Sequence, residues 1–375
     1  MPPSGPHPED RRATDGGDPT PSSEERRPGT SEPGDGTDTS ARPEDDFQGR
    51  PAADPGSTDR PHLPVLWRET VDMVDPRPGD TVVDGTFGAG GHAGLVAERL
   101  GPDGTLVVVD RDPVALRIAA RFAAGAPCRV RIVAAPFADA FEALAAEGLR
   151  ADAAYFDLGM SSMQIDQAER GFAYTRDAPL DMRMGEGDAA PTGPSAADVV
   201  ATWDVPALTR ALRDYGEERY APKIAKAIVR EREKAPIDTT GRLVDIVTNA
   251  IPTPARFVGG HPAKRTFQAL RIVVNDELGQ IDRALPAAWE LLAEGGRLAV
   301  ISFHSLEDRR VKRFVADLAQ GCICPPDLPV CACGQDPRAA VLGKGGVVPT
   351  ATEQDENPRS RSARLRGARK LPVAA

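Results

Sequence analysis

The stretch that decides the fold reads Asp84-Gly85-Thr86-Phe87-Gly88-Ala89-Gly90-Gly91-His92. It follows a short β-branched run, Thr81–Asp84, and precedes a run of helical period, Gly91–Leu100. The pattern therefore predicts a tight turn from a strand into a helix. Glycines at the start of a helix let a ligand approach the backbone closely, so the turn is a candidate site for a nucleotide-type cofactor.

The glycine pattern does not name that cofactor. The substring Gly88–Ala93 fits the dinucleotide fingerprint G-x-G-x-x-G/A, and Asp110 lies twenty residues after Gly90, where it can accept from a ribose hydroxyl. A nicotinamide dinucleotide and S-adenosylmethionine both satisfy these features, and a turn without any ligand is the simplest alternative.

Strand and helix patterns alternate from Leu63 onward, which is typical of βα units around a parallel sheet. The sequence predicts an α/β protein with strands Thr81–Asp84, Leu106–Asp110, Val130–Ala134 and Ala153–Asp157 and helices Gly91–Leu100, Pro113–Ala124 and Phe137–Glu147.

The alternation stops between residues 163 and 262. This segment shows no convincing strand and predicts an inserted all-helical domain with helices Ala196–Thr202, Pro206–Tyr215, Tyr220–Lys234 and Arg242–Ala250. A long helix, Thr266–Ala293, is expected next, ended by Gly295-Gly296, and the sheet resumes with the strand Gly296–Phe303. We expect the sheet domain to comprise residues 62–162 and 263–348.

Charge and composition distinguish the two ends from this body. The whole chain has a net charge of −10, but residues 1–60 hold 14 acidic and 7 basic residues, so the remainder is nearly neutral. Residues 1–61 are rich in proline and glycine and predict a disordered acidic arm. Residues 349–375 predict a basic tail of low order. No apolar run reaches the length of a membrane span, and no secretory signal is visible.

Polar residues follow the fourth predicted strand. Asp157, Ser161 and Ser162 would lie at the carboxyl edge of the sheet, where open α/β folds bind ligands. A second polar cluster, which contains His304, follows the strand that resumes after the insertion. Groups that can orient a methyl acceptor are expected there in a methyltransferase; the alternative is a strand end closed by a serine turn.

Together these motifs resemble the ribosomal RNA small subunit methyltransferase H family, also called RsmH or MraW, over about residues 62–364. The motifs that carry the resemblance are His62–Leu66, Asp84–His92, Asp110–Pro113, Asp157–Ser162, Arg170–Phe172, Pro179–Met184, Tyr215–Arg219, Arg265–Arg271 and Ile301–Asp308.

The resemblance implies a class I (Rossmann-like) methyltransferase sheet. It implies methyl transfer from S-adenosylmethionine to the exocyclic N4 of a cytidine in the decoding region of the 16S rRNA of the small ribosomal subunit. Family analogy places the cofactor contacts on Gly90, Gly91, His92, Asp110, Phe137, Asp157 and Gln164. The glycines, Asp110 and Phe137 also follow from the pattern itself, because an aromatic ring after strand three can stack on adenine. His92 and Gln164 rest on the resemblance alone.

A cytosine amine is a poor nucleophile until acceptors draw its protons away from the ring plane. Our hypothesis is that Asp157, or a hydroxyl of Ser161 or Ser162, accepts from the amine, so that catalysis is chiefly positioning and electrostatics. His304 is the reserve acceptor; otherwise it caps the next helix.

Basic residues are the candidate RNA contacts, although a charge run is often only a solvated helix face. The candidates are Arg183, Lys264, Arg265, Arg271, Arg309, Arg310 with the rest of the run to Arg313, and the C-terminal arginines. DNA is not expected, because Leu158-Gly159 follows Asp157 where amino methylases of DNA usually carry prolines and an aromatic residue. A nicotinamide dehydrogenase, a methyltransferase of DNA or protein, and a non-catalytic RNA-binding protein remain rival interpretations.

Four of the five cysteines lie within residues 322–333. Cys322, Cys324, Cys331 and Cys333 form two Cys-x-Cys pairs, which suit a structural zinc ion; the alternative is reduced thiols in an exposed loop. Cys128 stands alone and predicts a small core residue. Five cysteines exclude a complete disulfide framework and favour a reducing cytoplasm. The sequence leaves open whether the protein forms a homodimer.

Overall fold

A computed structural model describes residues 64–185, 193–257, 260–325 and 330–372, apart from the side chains of Ser162 and Phe257. The predicted acidic arm, residues 1–61, lies outside the described residues. The helices are α1 (Trp67–Val74), α2 (Gly91–Leu100), α3 (Pro113–Gly125), α4 (Phe137–Ala146), α5 (Ser162–Asp166), α6 (Ala196–Thr202), α7 (Val205–Asp214), α8 (Ala221–Arg232), α9 (Thr240–Ala250), α10 (Lys264–Asn275), α11 (Glu277–Leu291), α12 (Ser305–Ala319) and α13 (Ala351–Glu356).

Seven strands form one sheet in the order β3-β2-β1-β4-β5-β7-β6. The strands are β1 (Thr81–Asp84), β2 (Thr105–Asp110), β3 (Arg129–Ala134), β4 (Ala151–Asp157), β5 (Leu292–Ser302), β6 (Ala339–Val347) and β7 (Arg364–Lys370). The first five run parallel, with Asp84 beside Tyr155 and Asp157 beside Ile301. The predicted α/β sheet is therefore confirmed, and the chain order reverses beside β1, which opens a crevice at the strands' carboxyl ends.

Apolar side chains pack on both faces of the sheet and in a third cluster that belongs to the insertion. This third core contains side chains of the four helices α6, α7, α8 and α9. Helix α10 also packs into it, through Phe267 and Leu270, although we predicted that the residues of α10 belong to the sheet domain. In the described part of residues 163–262, β pairing is limited to a single bridge between Pro179 and Thr239. Cys128 is buried against the sheet, as predicted.

The single long helix predicted over Thr266–Ala293 is wrong. It is two helices, α10 and α11, because Asp276 adopts a left-handed conformation with φ 48°. Asn275 stabilises the break: its Nδ2 donates to the carbonyl of Met182 at 2.7 Å, and its Oδ1 accepts from the backbone N–H of Met184 at 2.7 Å. The second helix ends at Leu291, before Gly295-Gly296, because the chain turns into β5 at Leu292.

The predicted low-order basic tail is also wrong. Residues 364–370 form β7, which lies between β5 and β6 and runs antiparallel to both. Leu365 and Ala368 are fully buried and belong to the cores on the two opposite faces of the sheet, whereas Arg366 pairs with Asp308 and Arg369 is exposed. Because both faces of this strand are covered, its buried residues do not alternate as in a half-buried strand, and the density of arginine led to the prediction of a tail.

Among the described residues, no helix has the length and apolarity needed to cross a membrane.

We predict that Leu365→Ala destabilises the protein by about 2–5 kcal/mol, because it removes a fully buried side chain from an interior strand. Arg369→Ala, at an exposed position of the same strand, should change the free energy of unfolding by less than ~0.5 kcal/mol. Urea unfolding followed by circular dichroism measures both. Equal stability of the two variants would contradict the placement of β7 inside the sheet.

Candidate active site

A cavity of about 1130 Å³ opens at the carboxyl ends of β1, β2, β4 and β5, and residues of the helical insertion close its other side. Predicted site residues that line it are Gly91, His92, Asp110, Phe137, Asp157, Ser161, Gln164, Lys264, Arg271 and His304. Residues predicted from five separate motifs therefore meet in one crevice.

The glycine turn forms the floor between β1 and α2. Gly90 is the N-cap residue of α2 with φ +81°, and a Cβ there would lie 2.8 Å from Cζ of Phe87. Both observations require glycine at this position. The backbone N–H of Gly88 donates to Oδ2 of Asp110 at 2.8 Å, so the end of β2 holds the turn in place.

Asp110 ends β2 at the edge of the cavity, where it was predicted. Its Oδ1 accepts from the backbone N–H of Asp112 at 2.8 Å, so each carboxylate oxygen already accepts one backbone hydrogen bond. Burial raises the pKa of Asp110, and the N–H donors of Asp112 and Gly88 oppose that rise. Further lone pairs on each oxygen remain available to a ligand hydroxyl.

Asp157 ends β4 and presents an unpartnered oxygen. Its backbone N–H donates to Oγ1 of Thr86 at 2.6 Å, which fixes the strand end against the glycine turn. Its Oδ1 is buried and has no hydrogen-bond partner among the described residues. Burial, followed by the negative charges of Asp84 and Glu307, raises the pKa of Asp157 to about 8. The cavity is therefore lined by a carboxyl group that changes its protonation state near neutral pH.

His92 is buried next to this carboxyl group. Its Nε2 lies 3.1 Å from the carbonyl oxygen of Val65, which can only accept, so Nε2 carries the proton and Nδ1 is the free acceptor. Burial lowers the pKa of His92 to about 4, so the ring is neutral. Nδ1 lies 3.7 Å from Oδ2 of Asp157, and two facing acceptors are compatible when the carboxyl group keeps its proton.

A buried pair beneath the turn was not predicted from the sequence. The Tyr155 hydroxyl donates to Oδ2 of Asp84 at 2.7 Å, and the backbone N–H of Thr86 donates to Oδ1 at 2.9 Å. Burial raises the pKa of Asp84 to about 7 against these donors. An aspartate that ends a strand before a glycine turn is a visible signal, but its partner lies on β4 and only the sheet register brings it close.

Ser161 and Gln164 form the N-terminal capping box of α5. The Ser161 hydroxyl oxygen accepts from the Gln164 N–H at 3.3 Å, and Gln164 Oε1 accepts from the Ser161 N–H at 3.1 Å. Gln164 Nε2 donates to Oδ2 of Asp112, which also accepts from Arg170 at 2.6 Å. The amide predicted to contact the cofactor thus joins the sheet to the insertion. Ser162 begins α5, and its side chain lies outside the described residues.

His304 precedes α12 beside a buried cluster of charges. Its Nε2 lies 3.2 Å from Oε1 of Glu307, and Glu307 Oε2 accepts from the Phe303 N–H at 2.7 Å. Burial raises the pKa of Glu307, but His304, Arg271 and the backbone donor outweigh it and leave the pKa lowered. His304 Nδ1 is buried and has no hydrogen-bond partner among the described residues.

Comparison with known proteins shows the family. The model of the MraW methylase family matches residues 59–371. The chain belongs to the MraW methylase family. It is 49% identical over 312 residues to a protein of Heliobacterium modesticaldum, covering 83% of this chain and 98% of that one. It is 50% identical to a protein of Symbiobacterium thermophilum (83% and 96% covered) and 49% identical to one of Saccharopolyspora erythraea (88% and 99%). All three are named ribosomal RNA small subunit methyltransferase H.

Membership confirms the resemblance, and with the observed sheet it confirms the predicted class I (Rossmann-like) methyltransferase fold. It also separates the chain from the nicotinamide dehydrogenases that the glycine pattern left open.

In this MraW-family chain the predicted RNA-contacting residues divide into two groups. Arg183 pairs with Asp181 at 2.6 Å, and both Nε and Nη2 of Arg271 donate to the carboxylate of buried Glu277. Three others keep exposed positions: Lys264 at the cavity rim, Arg265, which donates to the carbonyl of Glu217, and Arg309, whose side chain is 59% exposed and pairs with the Glu217 carboxylate at 3.4 Å. Arg310 pairs with Asp282.

The C-terminal arginines were predicted to contact RNA from a mobile tail. Instead Arg366 donates twice to Asp308, Arg364 to the carbonyl of Gly345, and Arg359 to Asp166. They belong to the folded sheet domain.

We predict that Arg271→Ala destabilises this MraW-family protein by about 3–5 kcal/mol, because it leaves the buried carboxylate of Glu277 without its partner. Lys264→Ala, at the exposed rim, should alter the free energy of unfolding by less than ~0.5 kcal/mol. Urea unfolding distinguishes the two. If Arg271→Ala kept wild-type stability and lost only RNA affinity, Arg271 would be an RNA contact after all.

Proposed function

We propose that the protein transfers a methyl group from S-adenosylmethionine to the exocyclic N4 of a cytidine in the decoding region of 16S rRNA. Family membership and the names of the relatives support the coarser function, methylation of small-subunit rRNA. The observation that carries the finer proposal is the carboxyl group of Asp157, which lines the cavity beside the glycine turn and whose Oδ1 is buried without a hydrogen-bond partner.

The residues around the cavity fit the proposed cofactor. The backbone of the glycine turn lines the cavity at Gly88 and Gly91, Asp110 offers carboxylate oxygens to ribose hydroxyls, and Phe137 presents a half-buried ring for adenine. When bound, S-adenosylmethionine supplies an electrophilic methyl group on a cationic sulfonium. His92, neutral and fixed by Val65, packs against the carboxyl group of Asp157 on the same side.

The acceptor for the amine proton is assigned to Asp157. The lone pair of a cytosine amine is delocalised into the ring, so an oxygen must accept from the amine to favour attack. The carboxyl group of Asp157 lines the cavity and offers such an oxygen, and the hydrogen bond from the Asp157 backbone N–H to Thr86 holds the strand end in place. A preorganised acceptor in a site of low dielectric stabilises the charge that develops on the amine.

His304 is the second candidate for this role. Its Nδ1 is also buried and has no hydrogen-bond partner among the described residues, and the residue His304 lines the same cavity. Ser161 is less suited, because its hydroxyl oxygen already accepts from the backbone of α5, although its proton remains free to be donated. For Ser162 the assignment stays a proposal from the sequence.

The substrate must enter this cavity as a single extruded base, as base-modifying enzymes require. We assign the phosphate contacts to exposed cations near its mouth and on α12, above all Lys264, Arg309 and Arg313. The proposed partner is therefore the small ribosomal subunit, and no DNA substrate is proposed.

Mass spectrometry of 16S rRNA nucleosides tests this function. A strain without the protein should lack N4-methylation at a decoding-region cytidine, and the wild-type gene should restore it. The Asp157→Asn variant should methylate the cytidine at less than about one hundredth of the wild-type initial rate, because the amide presents a weaker, partly donating group to the amine. Asp103→Asn, on an exposed turn, is the control and should methylate at the wild-type rate. An unchanged methylation pattern in the deletion strain would refute the proposal, and normal kcat for Asp157→Asn would shift the acceptor role to His304.

The raised pKa of Asp157 predicts a pH-dependent affinity for the cofactor. A cationic sulfonium favours the carboxylate form, so the Kd for S-adenosylmethionine should fall as pH rises from about 6 toward the pKa of about 8. Each unit by which bound cofactor lowers this pKa corresponds to about tenfold tighter binding at high pH. S-adenosylhomocysteine has no sulfonium charge, so its affinity should change little.

Isothermal titration of both ligands at several pH values measures the difference. Asp157→Asn should make the two pH profiles parallel. A wild-type protein that binds both ligands with the same pH dependence would show that the carboxyl group does not face the sulfonium.

A further inference from the structure

A loop of unusual composition connects α12 to β6. Its two ends are held together, because the backbone N–H of Arg338 donates to the carbonyl of Leu318 at 2.8 Å. Between these ends lie the four cysteines Cys322, Cys324, Cys331 and Cys333, all of them free thiols. The methyl-transfer site described above uses none of them.

The four sulfur atoms converge. Cys322 Sγ lies 3.4 Å from Cys331 Sγ and 3.7 Å from Cys333 Sγ, and Cys331 Sγ lies 3.5 Å from Cys333 Sγ. All four sulfurs lie within 4.8 Å of one another. In a tetrahedral site with Zn–S bonds of about 2.3 Å the sulfurs are about 3.8 Å apart, so the observed spacing needs only a slight expansion to admit the ion.

Hydrophobic packing does not explain this convergence. The large apolar side chains of the described part of the loop point outward: Ile323 is 58% exposed and Val330 is 75% exposed. The described part of the loop has no core of its own and so requires another interaction to fix its geometry, and a structural metal is a usual one.

Backbone donors already point at the sulfurs. The N–H of Ala332 donates to Sγ of Cys324 at 3.3 Å, and the N–H groups of Ile323 and Gln335 hydrogen-bond to Cys333. Such donors offset the negative charge of metal-bound thiolates and orient them. The loop therefore has both the ligands and the outer partners of a thiolate metal site.

We propose that Cys322, Cys324, Cys331 and Cys333 bind one Zn²⁺ ion in a closed, structural site. Four protein ligands complete the tetrahedron and leave no position for water or substrate, so the ion takes no part in methyl transfer. Binding converts the four thiols to thiolates and releases their protons to solvent, with no change of oxidation state.

The zinc site holds the chain in place just before it enters β6. Ala339 begins this strand six residues after Cys333, and β6 covers the interior strand β7 through antiparallel pairing. The zinc site therefore protects an edge of the sheet that is remote in sequence from the glycine turn. Its loss should loosen β6 and leave the turn at residues 84–92 unchanged.

Elemental analysis of the full-length chain, purified under reducing conditions without chelators, tests the proposal. We expect about one zinc per chain in the wild-type protein and in Cys128→Ala, whose sulfur is buried in the sheet core, and less than about 0.1 in the double variant Cys324→Ser/Cys331→Ser. Replacement by Co²⁺ should give the intense visible bands of a tetrahedral tetrathiolate complex in the first two proteins and not in the third.

Hydrogen exchange provides a readout that does not depend on the variants. A chelator should speed exchange of β6 amides in the wild-type protein by about tenfold or more, and added Zn²⁺ should reverse the effect, while residues 84–92 stay protected.

Two results would overturn the zinc site. One is wild-type protein that holds less than about 0.1 zinc per chain even after reduction, incubation with Zn²⁺ and desalting. The other is an intact mass lower by four hydrogens in freshly lysed cells, which would show two disulfide bonds. Neither result bears on methyl transfer, which is measured separately on rRNA.

Discussion

The candidate site depends on carboxyl groups that are withdrawn from water where β1 and β4 end. Asp84 and Asp157 lie on neighbouring strands, and burial raises the pKa of both into the neutral range. Burying a carboxylate is unfavourable unless it is paired or protonated. Asp84 is stabilised by Tyr155 and Thr86, whereas Asp157 keeps one oxygen without a partner. This difference supports the proposal that Asp84 holds the turn and that Asp157 takes part in methyl transfer.

The insertion contributes to the same site through polar contacts as well as through its own core. Asp112 at the start of α3 accepts from Arg170 and Gln164, and Arg111 donates to Asn275 at 3.0 Å. These hydrogen bonds connect the residues that close the cavity on the side of the insertion to the chain that follows β2. Arg170 and Asp112 are both largely buried, so separating them would leave charges without partners, and the two parts are constrained to keep one geometry.

Local patterns predicted most of the sheet well. The boundaries of the first three βα units and of the fourth strand agree within two residues, because each element carries its own period and its own start or stop signal. The two failures have a common cause. The break at Asp276 depends on contacts of Asn275 with Met182 and Met184, about ninety residues earlier in the chain. Strand β7 exists because β5 and β6 pair with it on both sides.

The sequence by itself determined which residues can carry the chemistry: the glycine turn, the aspartates at the strand ends, and the two cysteine pairs. These are local requirements of backbone conformation and side-chain type, so they are visible along the chain. Only the tertiary structure decided how each is used, since hydrogen-bond partners and burial depend on distant segments. It engages Gln164 with Asp112, buries Arg271 against Glu277, and leaves Asp157 Oδ1 buried without a hydrogen-bond partner.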